Sequence, residues 1–270
     1  MRRLCHLYGV SKSGYYAWCS RDQSAHDRHD NTLKEAIGEV HQGFRRTYGA
    51  RRVHRVLREK GLSCSVRRVN RLMREMGVDA RTTRLYPWRA GLHEFYSSVA
   101  NRLAKAEPAT RVGQQWGGDL TYLKYKGGHV YLAIVIDLFS RRVIGWAFSK
   151  RRDTALTKSA LRNALRTQTI ETGCLFHSDQ GSEYAAHDYR KKLSEAGLVQ
   201  SMSRKATPQD NAKVESFFHT LKAEVIYKQS FKREEQIVGT VIDYIHFYNY
   251  ERLHSSLDYK SPFNYEKLCA

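Results

Sequence analysis

Hydrophobic positions along the chain change period near its middle, and that change predicts two kinds of structure. The first part has a helical period. Residues 4–18 predict a small helix–turn–helix, with Gly9 as the break and Ser11 capping the second helix. A helix from His26 to His41 carries Leu33, Ile37 and Val40 on one stripe. Arg51 to Lys60 repeats the pattern with Val53, Val56 and Leu57, until Gly61 stops it. Ser63 or Ser65 then opens a helix bearing Val66, Val69, Leu72, Met73 and Met76, ended by Gly77. Its polar side shows Arg67, Arg68, Arg71 and Arg74, as expected of a recognition helix offered to a DNA groove. The plainer alternative is a solvated basic helix in a bundle.

From Trp116 the pattern turns to strands. Gly127-Gly128 joins two β-rich runs as a hairpin would, and Val130–Ile136 is apolar enough for a strand covered on both faces. A third strand spans Arg142–Phe148. Residues 154–167 predict a helix, 174–178 a strand, 184–196 a helix and 198–203 a strand. Helices follow at 211–226, with Asp210 as N-cap, and at 233–250. Three strands and then α-β-α-β-α predict an α/β sheet between helices. The expected organisation is a basic all-α region at 1–78, a linker at 79–110, an α/β core at 111–228 and a helical extension at 229–270.

Charge sharpens this division. The net charge is +19, and residues 45–89 alone hold 14 Lys/Arg against 3 Asp/Glu, a net of +11. Such concentration points to a polyanionic partner, double-stranded DNA above all. Five scattered cysteines, Cys5, Cys19, Cys64, Cys174 and Cys269, contain no C-x-x-C pair. They fit a reducing cytoplasm and argue against a zinc module. No apolar run approaches the roughly 20 residues of a membrane span, and the opening residues do not read as a secretory signal.

The candidate chemistry lies in three carboxylates. Asp119 sits in a strand-like run, Asp179 ends an apolar strand, and Glu215 comes early in a helix with Lys222 two turns further along the same face. Acids gathered in one cleft repel one another and call for cations, and hard oxygen donors suit Mg²⁺ or Mn²⁺, here as two ions. Taken singly, each residue has a bland reading: a strand-end Asp forms turns, and a Glu–Lys pair on a helix is surface charge.

The neighbouring motifs decide between these readings. Asp119-Leu-Thr-Tyr, Tyr131-Leu-Ala-Ile-Val-Ile-Asp-Leu-Phe-Ser-Arg, His177-Ser-Asp-Gln-Gly-Ser-Glu-Tyr, Asp210-Asn-Ala-Lys-Val-Glu-Ser-Phe-Phe and Tyr248-Asn-Tyr-Glu-Arg-Leu-His resemble the orfB transposases of the third insertion-sequence family. The resemblance extends through Gly14-Tyr-Tyr-Ala-Trp and Tyr48-Gly-Ala-Arg-Arg to nearly the whole chain. It implies an RNase H-like integrase core with a mixed five-stranded sheet. It also implies catalytic and metal-binding roles for Asp119, Asp179 and Glu215, with 35 residues between the last two. Lys222 is then a contact to transposon-end DNA. The implied reaction cuts one strand at the element's terminal inverted repeat and joins the freed 3′-hydroxyl to target DNA. The implied partner is the upstream orfA product, joined by a frameshift fusion, and the implied working form is a homo-oligomer on DNA, cytoplasmic and nucleoid-associated when bound.

Other residues carry weaker expectations. Asp137 orders the turn toward Ser140-Arg141, and His177 is structural; Trp116, Trp146, Phe217 and Phe218 belong to the core. Asn211 either touches DNA or caps its helix. Family members usually have Gly after the Ser-Arg-Lys, where this chain has Ala206-Thr207-Pro208-Gln209. Two competing functions remain open: a non-catalytic DNA-binding regulator of the fused transposase, and a plain RNase H-like nuclease.

Overall fold

The structure is a computed structural model that describes residues 1–80, 99–204 and 207–269. Residues 81–98, the centre of the predicted linker, and Ala206 of the departing loop lie outside the described residues. The chain forms two compact units, Met1–Ala80 and Arg81–Ala270.

The first unit is helical. Two short helices, α1 (Arg2–Leu7) and α2 (Lys12–Cys19), open it, and Ser11 accepts a hydrogen bond from Gly14 N at 2.9 Å. Ser24 and Asp27 form a capping box at the start of α3 (Ala25–Gly43). Next come α4 (Ala50–Glu59) and α5 (Val66–Glu75), the latter capped by Ser65. Gly61 takes φ +81° between them, a left-handed conformation that costs glycine nothing. Leu33, Ile37, Val53, Leu57, Val69 and Leu72 are all fully buried where the three helices meet. Each contributes about 1.5–3 kcal/mol, against roughly 0–1 for an exposed ion pair, so the apolar stripes hold this unit.

The second unit is built on a five-stranded sheet of order β3-β2-β1-β4-β5. Strands β1 (Gln115–Tyr125), β2 (Gly128–Asp137) and β3 (Val143–Ser149) are antiparallel; β4 (Leu175–Ser178) and β5 (Val199–Met202) run parallel to β1. This is the mixed sheet of an RNase H-like core. One face buries Trp116, Ala133, Val135, Phe176 and Met202 together with α6 (Thr154–Thr167), α7 (Ser182–Ala185) and α8 (His187–Glu195). The other lies under α9 (Ala212–Glu224) and α10 (Glu234–Tyr250), with α11 (Pro262–Cys269) packed on α10.

Several expectations need correction. The helix expected over 184–196 is two helices broken at Ala186, whose ψ of 138° is extended. An unbroken helix would set Tyr184 and Tyr189 about 140° apart. The break lets both rings enter the same core, 5.3 Å apart and edge-on. Trp146 is only half-buried, because it lies on the edge strand β3. Asp210 does not cap α9. It accepts hydrogen bonds from Arg204 N (2.8 Å) and Asn101 Nδ2 (2.7 Å), and Asn211 occupies the N-cap without a side-chain bond. Residues 100–105 of the predicted linker dock beside β5, where Arg102 N and Leu103 N both donate to Ser201 Oγ.

Candidate active site

The parallel pairing of β1 with β4 positions the first two acids. Its last matched pair is Gly117 with His177. Asp119 and Asp179 each come two residues later, so alternation sends both side chains to the same face at the same level. That face lies under α9. A Cβ on Gly117 would stand 2.5 Å from Val214 Cγ2 and 2.9 Å from Leu138 Cδ2. Only glycine there lets α9 settle this close to the strand, with Glu215 next to Val214.

The electrostatics connect the three acids. Burial first, then the charges of Asp179 and Glu215, push the Asp119 carboxyl well above the usual carboxylate range. Burial also raises Asp179, aided by Glu183 and opposed by a hydrogen bond from Gly181 N and the charge of Arg152. Glu215, exposed at the rim, is raised by desolvation and by Asp179. Each acid therefore stands in the field of another. Among the described residues, no three His, Cys, Asp or Glu side chains are arranged as a finished metal cage. The donor set itself suits a hard divalent cation, which would relieve the repulsion that raises these groups.

Cations border the acids. Lys222 Nζ donates to Thr121 Oγ1 at 2.7 Å, two residues beyond Asp119 on β1. Burial lowers its pKa, against the pull of Asp119. Arg152 pairs with the buried Glu183 and acts on Asp179. The sequence reading left Arg152 and Glu183 without roles. The only signal was the place of Glu183 within the His177-Ser-Asp-Gln-Gly-Ser-Glu-Tyr motif.

His177 is buried structure. Ser201 Oγ already accepts from Arg102 N and Leu103 N, so its hydroxyl donates to His177 Nδ1 at 2.9 Å. The ring proton is then on Nε2, which donates to Ser203 Oγ at 3.0 Å. Burial lowers the ring's pKa to about 4. Asp137 is also buried and accepts from Gly113 N, Phe139 N and Ser140 N, ordering the β2–β3 turn where Arg141 takes φ +64°.

A second buried network holds the far end of α9. Arg252 donates to both oxygens of Glu224, at 2.7 and 3.0 Å, and Tyr244 Oη donates to Glu224 Oε2 at 2.9 Å. Asn249 closes a two-way bond with the backbone of Val143 on the sheet edge. Asn249 and Arg252 lie in the Tyr248-Asn-Tyr-Glu-Arg-Leu-His motif, but their tasks depend on partners far along the chain.

In the helical unit the four arginines divide. Arg68 Nε and an Arg71 terminal nitrogen hold the two oxygens of Asp30 at 2.6 and 2.7 Å, and Arg71 also bonds Glu75. The two guanidinium groups hold the Asp30 carboxyl at about 2, well below its ordinary range. Arg67 and Arg74 are exposed, seven residues apart and hence on one face. Asn211 is buried at the start of α9.

An integrase-type sheet with one acid within β1 and another just past the end of the parallel strand β4, in a chain that also carries a basic helical unit, defines the class as DNA-processing polynucleotidyl transferases. Comparison with known proteins agrees. Residues 109–208 and 196–262 match the family described as Integrase core domain, and residues 28–86 match an HTH-like domain. The chain is 38% identical to the transposase for insertion sequence element IS904 of Lactococcus lactis, over 87% of this chain and 93% of that one. It is 35% identical to transposase InsF for insertion sequence IS3A of Escherichia coli, over 98% and 93% respectively. In fold it resembles a chain of the simian T-cell lymphotropic virus intasome, with a TM-score of 0.51 at 14% identity, covering 85% of this chain and 74% of that one. The chain belongs to the IS3 family of insertion-sequence transposases. It is a DNA-binding enzyme, and among its described residues no helix is long and apolar enough to cross a membrane.

Proposed function

We infer that Asp119, Asp179 and Glu215 are the catalytic carboxylates of this transposase and hold two divalent cations, Mg²⁺ or Mn²⁺. The observation that carries this reading is the shared level of Asp119 and Asp179 beyond the Gly117–His177 pair, with Glu215 raised by desolvation and by the charge of Asp179. When bound, the ions supply Lewis-acid activation and offset the charge that builds at phosphorus. The chain's own groups bind and orient the strand. Lys222, fixed by Thr121, meets a phosphate of the element end, and Asn211 at the N-terminus of α9 is a second contact to the DNA. Arg152 tempers the charge at Asp179 and is itself held by Glu183. Arg67 and Arg74 offer the exposed phosphate contacts of the helical unit, while Arg68 and Arg71 stiffen the helix that presents them.

The substrates are the terminal inverted repeats and a target duplex. One strand is cut at the element end, and its 3′-hydroxyl then attacks the target. The orfA product, fused by frameshifting, is the partner, and the working form is a homo-oligomer on DNA in the bacterial cytoplasm.

The test uses the chain fused to the orfA product and a labelled element-end duplex. Cutting requires Mg²⁺ or Mn²⁺ and stops in EDTA. Glu215→Gln slows it by at least about a thousandfold while leaving duplex affinity nearly unchanged. Normal cutting by that variant removes the assignment.

A further inference from the structure

Beyond Gly117, β1 has β2 on one side and, among the described residues, no strand on the other. This open edge leads away from Asp119 and carries Tyr122, which is 52% exposed. A tyrosine on a long strand of the central sheet ordinarily packs under a helix, and among the described residues this ring stays half open to solvent. Two ammonium groups stand beside the ring, Lys124 Nζ at 5.7 Å and Lys222 Nζ at 5.9 Å from its centroid. Both distances are at the outer limit of cation–π contact, so neither amine closes the ring's face. Lys222 also reaches Thr121, the neighbour of Tyr122 and two residues beyond Asp119. An open aromatic face with two flanking cations, one of which also lies in the field of Asp119, matches the chemistry of one occupant. That occupant is a nucleotide whose base has left its pair, with its phosphates toward the amines.

We propose that Tyr122 is a stacking platform for an unpaired base of the strand whose phosphate lies at the carboxylates. The proposal rests on the reading of Asp119, Asp179 and Glu215 as the reaction centre for its placement, but not for its test. Every phosphodiester at a duplex end is reached more easily when the terminal pairs are open, and a captured base keeps them open. Stacking uses the face of the ring, which every base can meet, so the platform accepts any base.

The experiment measures binding of a short single-stranded oligonucleotide carrying 2-aminopurine, in EDTA, to the full chain with the Glu215→Gln substitution. Stacking quenches the probe. The expected result is quenching that survives Tyr122→Phe and Tyr122→Trp and falls about tenfold in affinity for Tyr122→Leu, which keeps the apolar bulk but loses the ring. Matched thermal unfolding of the Phe and Leu variants separates this loss from misfolding. Equal quenching and affinity for Tyr122→Leu overturns the proposal, as does an unquenched probe with the intact tyrosine. Because the assay needs neither metal nor cutting, failure here leaves the carboxylate assignment standing. Conversely, failure of metal-dependent cutting leaves a positive stacking result intact.

Discussion

Asp119, within β1, and Asp179, just past the end of β4, each lie two residues beyond the matched pair Gly117 and His177. Sixty residues apart in sequence, they are brought level by the ladder between β1 and β4. Burial first raises both carboxyls, joined by the charge of Asp179 at Asp119 and of Glu183 at Asp179. The unfolded chain ionises them at ordinary values, so the metal-free fold loses stability as pH rises from the usual carboxylate range through the raised folded values. In EDTA at neutral pH, Asp119→Asn is therefore expected to raise the unfolding temperature by a few degrees, on the order of 1 kcal/mol. Mg²⁺ should stabilise the unsubstituted chain more than the variant. Thermal unfolding with and without the ion checks both; an Asn variant that melts lower in EDTA contradicts the account of repulsion.

Gly117 sets the approach of α9 to the strand. Gly117→Ala would force its Cβ against Val214 Cγ2, with 2.5 Å available, and against Leu138. The expected cost is about 1–3 kcal/mol of overpacking, with a disproportionate loss of cutting because α9 carries Glu215. Adding Val214→Ala should recover part of both. Denaturant unfolding and end-cutting rates of the single and double variants measure the effect, and a fully active Gly117→Ala single variant would remove this role.

His177 is neutral in the fold, with its pKa lowered to about 4 from an ordinary 6.5. Between those values the unfolded chain takes up a proton that the folded chain does not. Stability is thus complete above about 6.5 and declines as pH falls toward 4, by up to about 3 kcal/mol. Asn keeps a polar atom near the Nδ1 position facing Ser201 and does not titrate, so His177→Asn should flatten the decline. An unchanged pH slope in urea titrations would rule against it.

Arg252 and Glu224 form a buried pair under Tyr244. Arg252→Met leaves Glu224 buried without its cation and should cost about 3–5 kcal/mol. Combining it with Glu224→Gln should cost clearly less than the sum, since the stranded charge is gone. Additive losses in a double-mutant cycle would show that the two groups do not act as a pair.

Local pattern made much of this molecule legible. Capping by Ser11 and Ser65, the apolar stripes of α3 to α5, the span of α6 and the hairpin at Gly127-Gly128 all follow from residues near each other in sequence. So did the structural reading of His177 and the turn held by Asp137. The errors share a different origin. The break at Ala186, the displaced role of Asp210 and the partial exposure of Trp146 each depend on a partner far along the chain or on which strand forms the sheet edge.

The sequence by itself determined the elements, the basic character of the helical unit and, through its motifs, the family. Periodicity and capping are interactions over a few residues, and charge is a property of composition. Only tertiary structure decided that Asp30 would claim Arg68 and Arg71 while Arg67 and Arg74 stayed exposed, and that Glu224 would meet Arg252. It also decided that β4 would leave β1 beyond Gly117, and that Tyr122 would stand exposed among the described residues. Side-chain pairing and strand order are long-range choices, made by packing and desolvation that no local window contains.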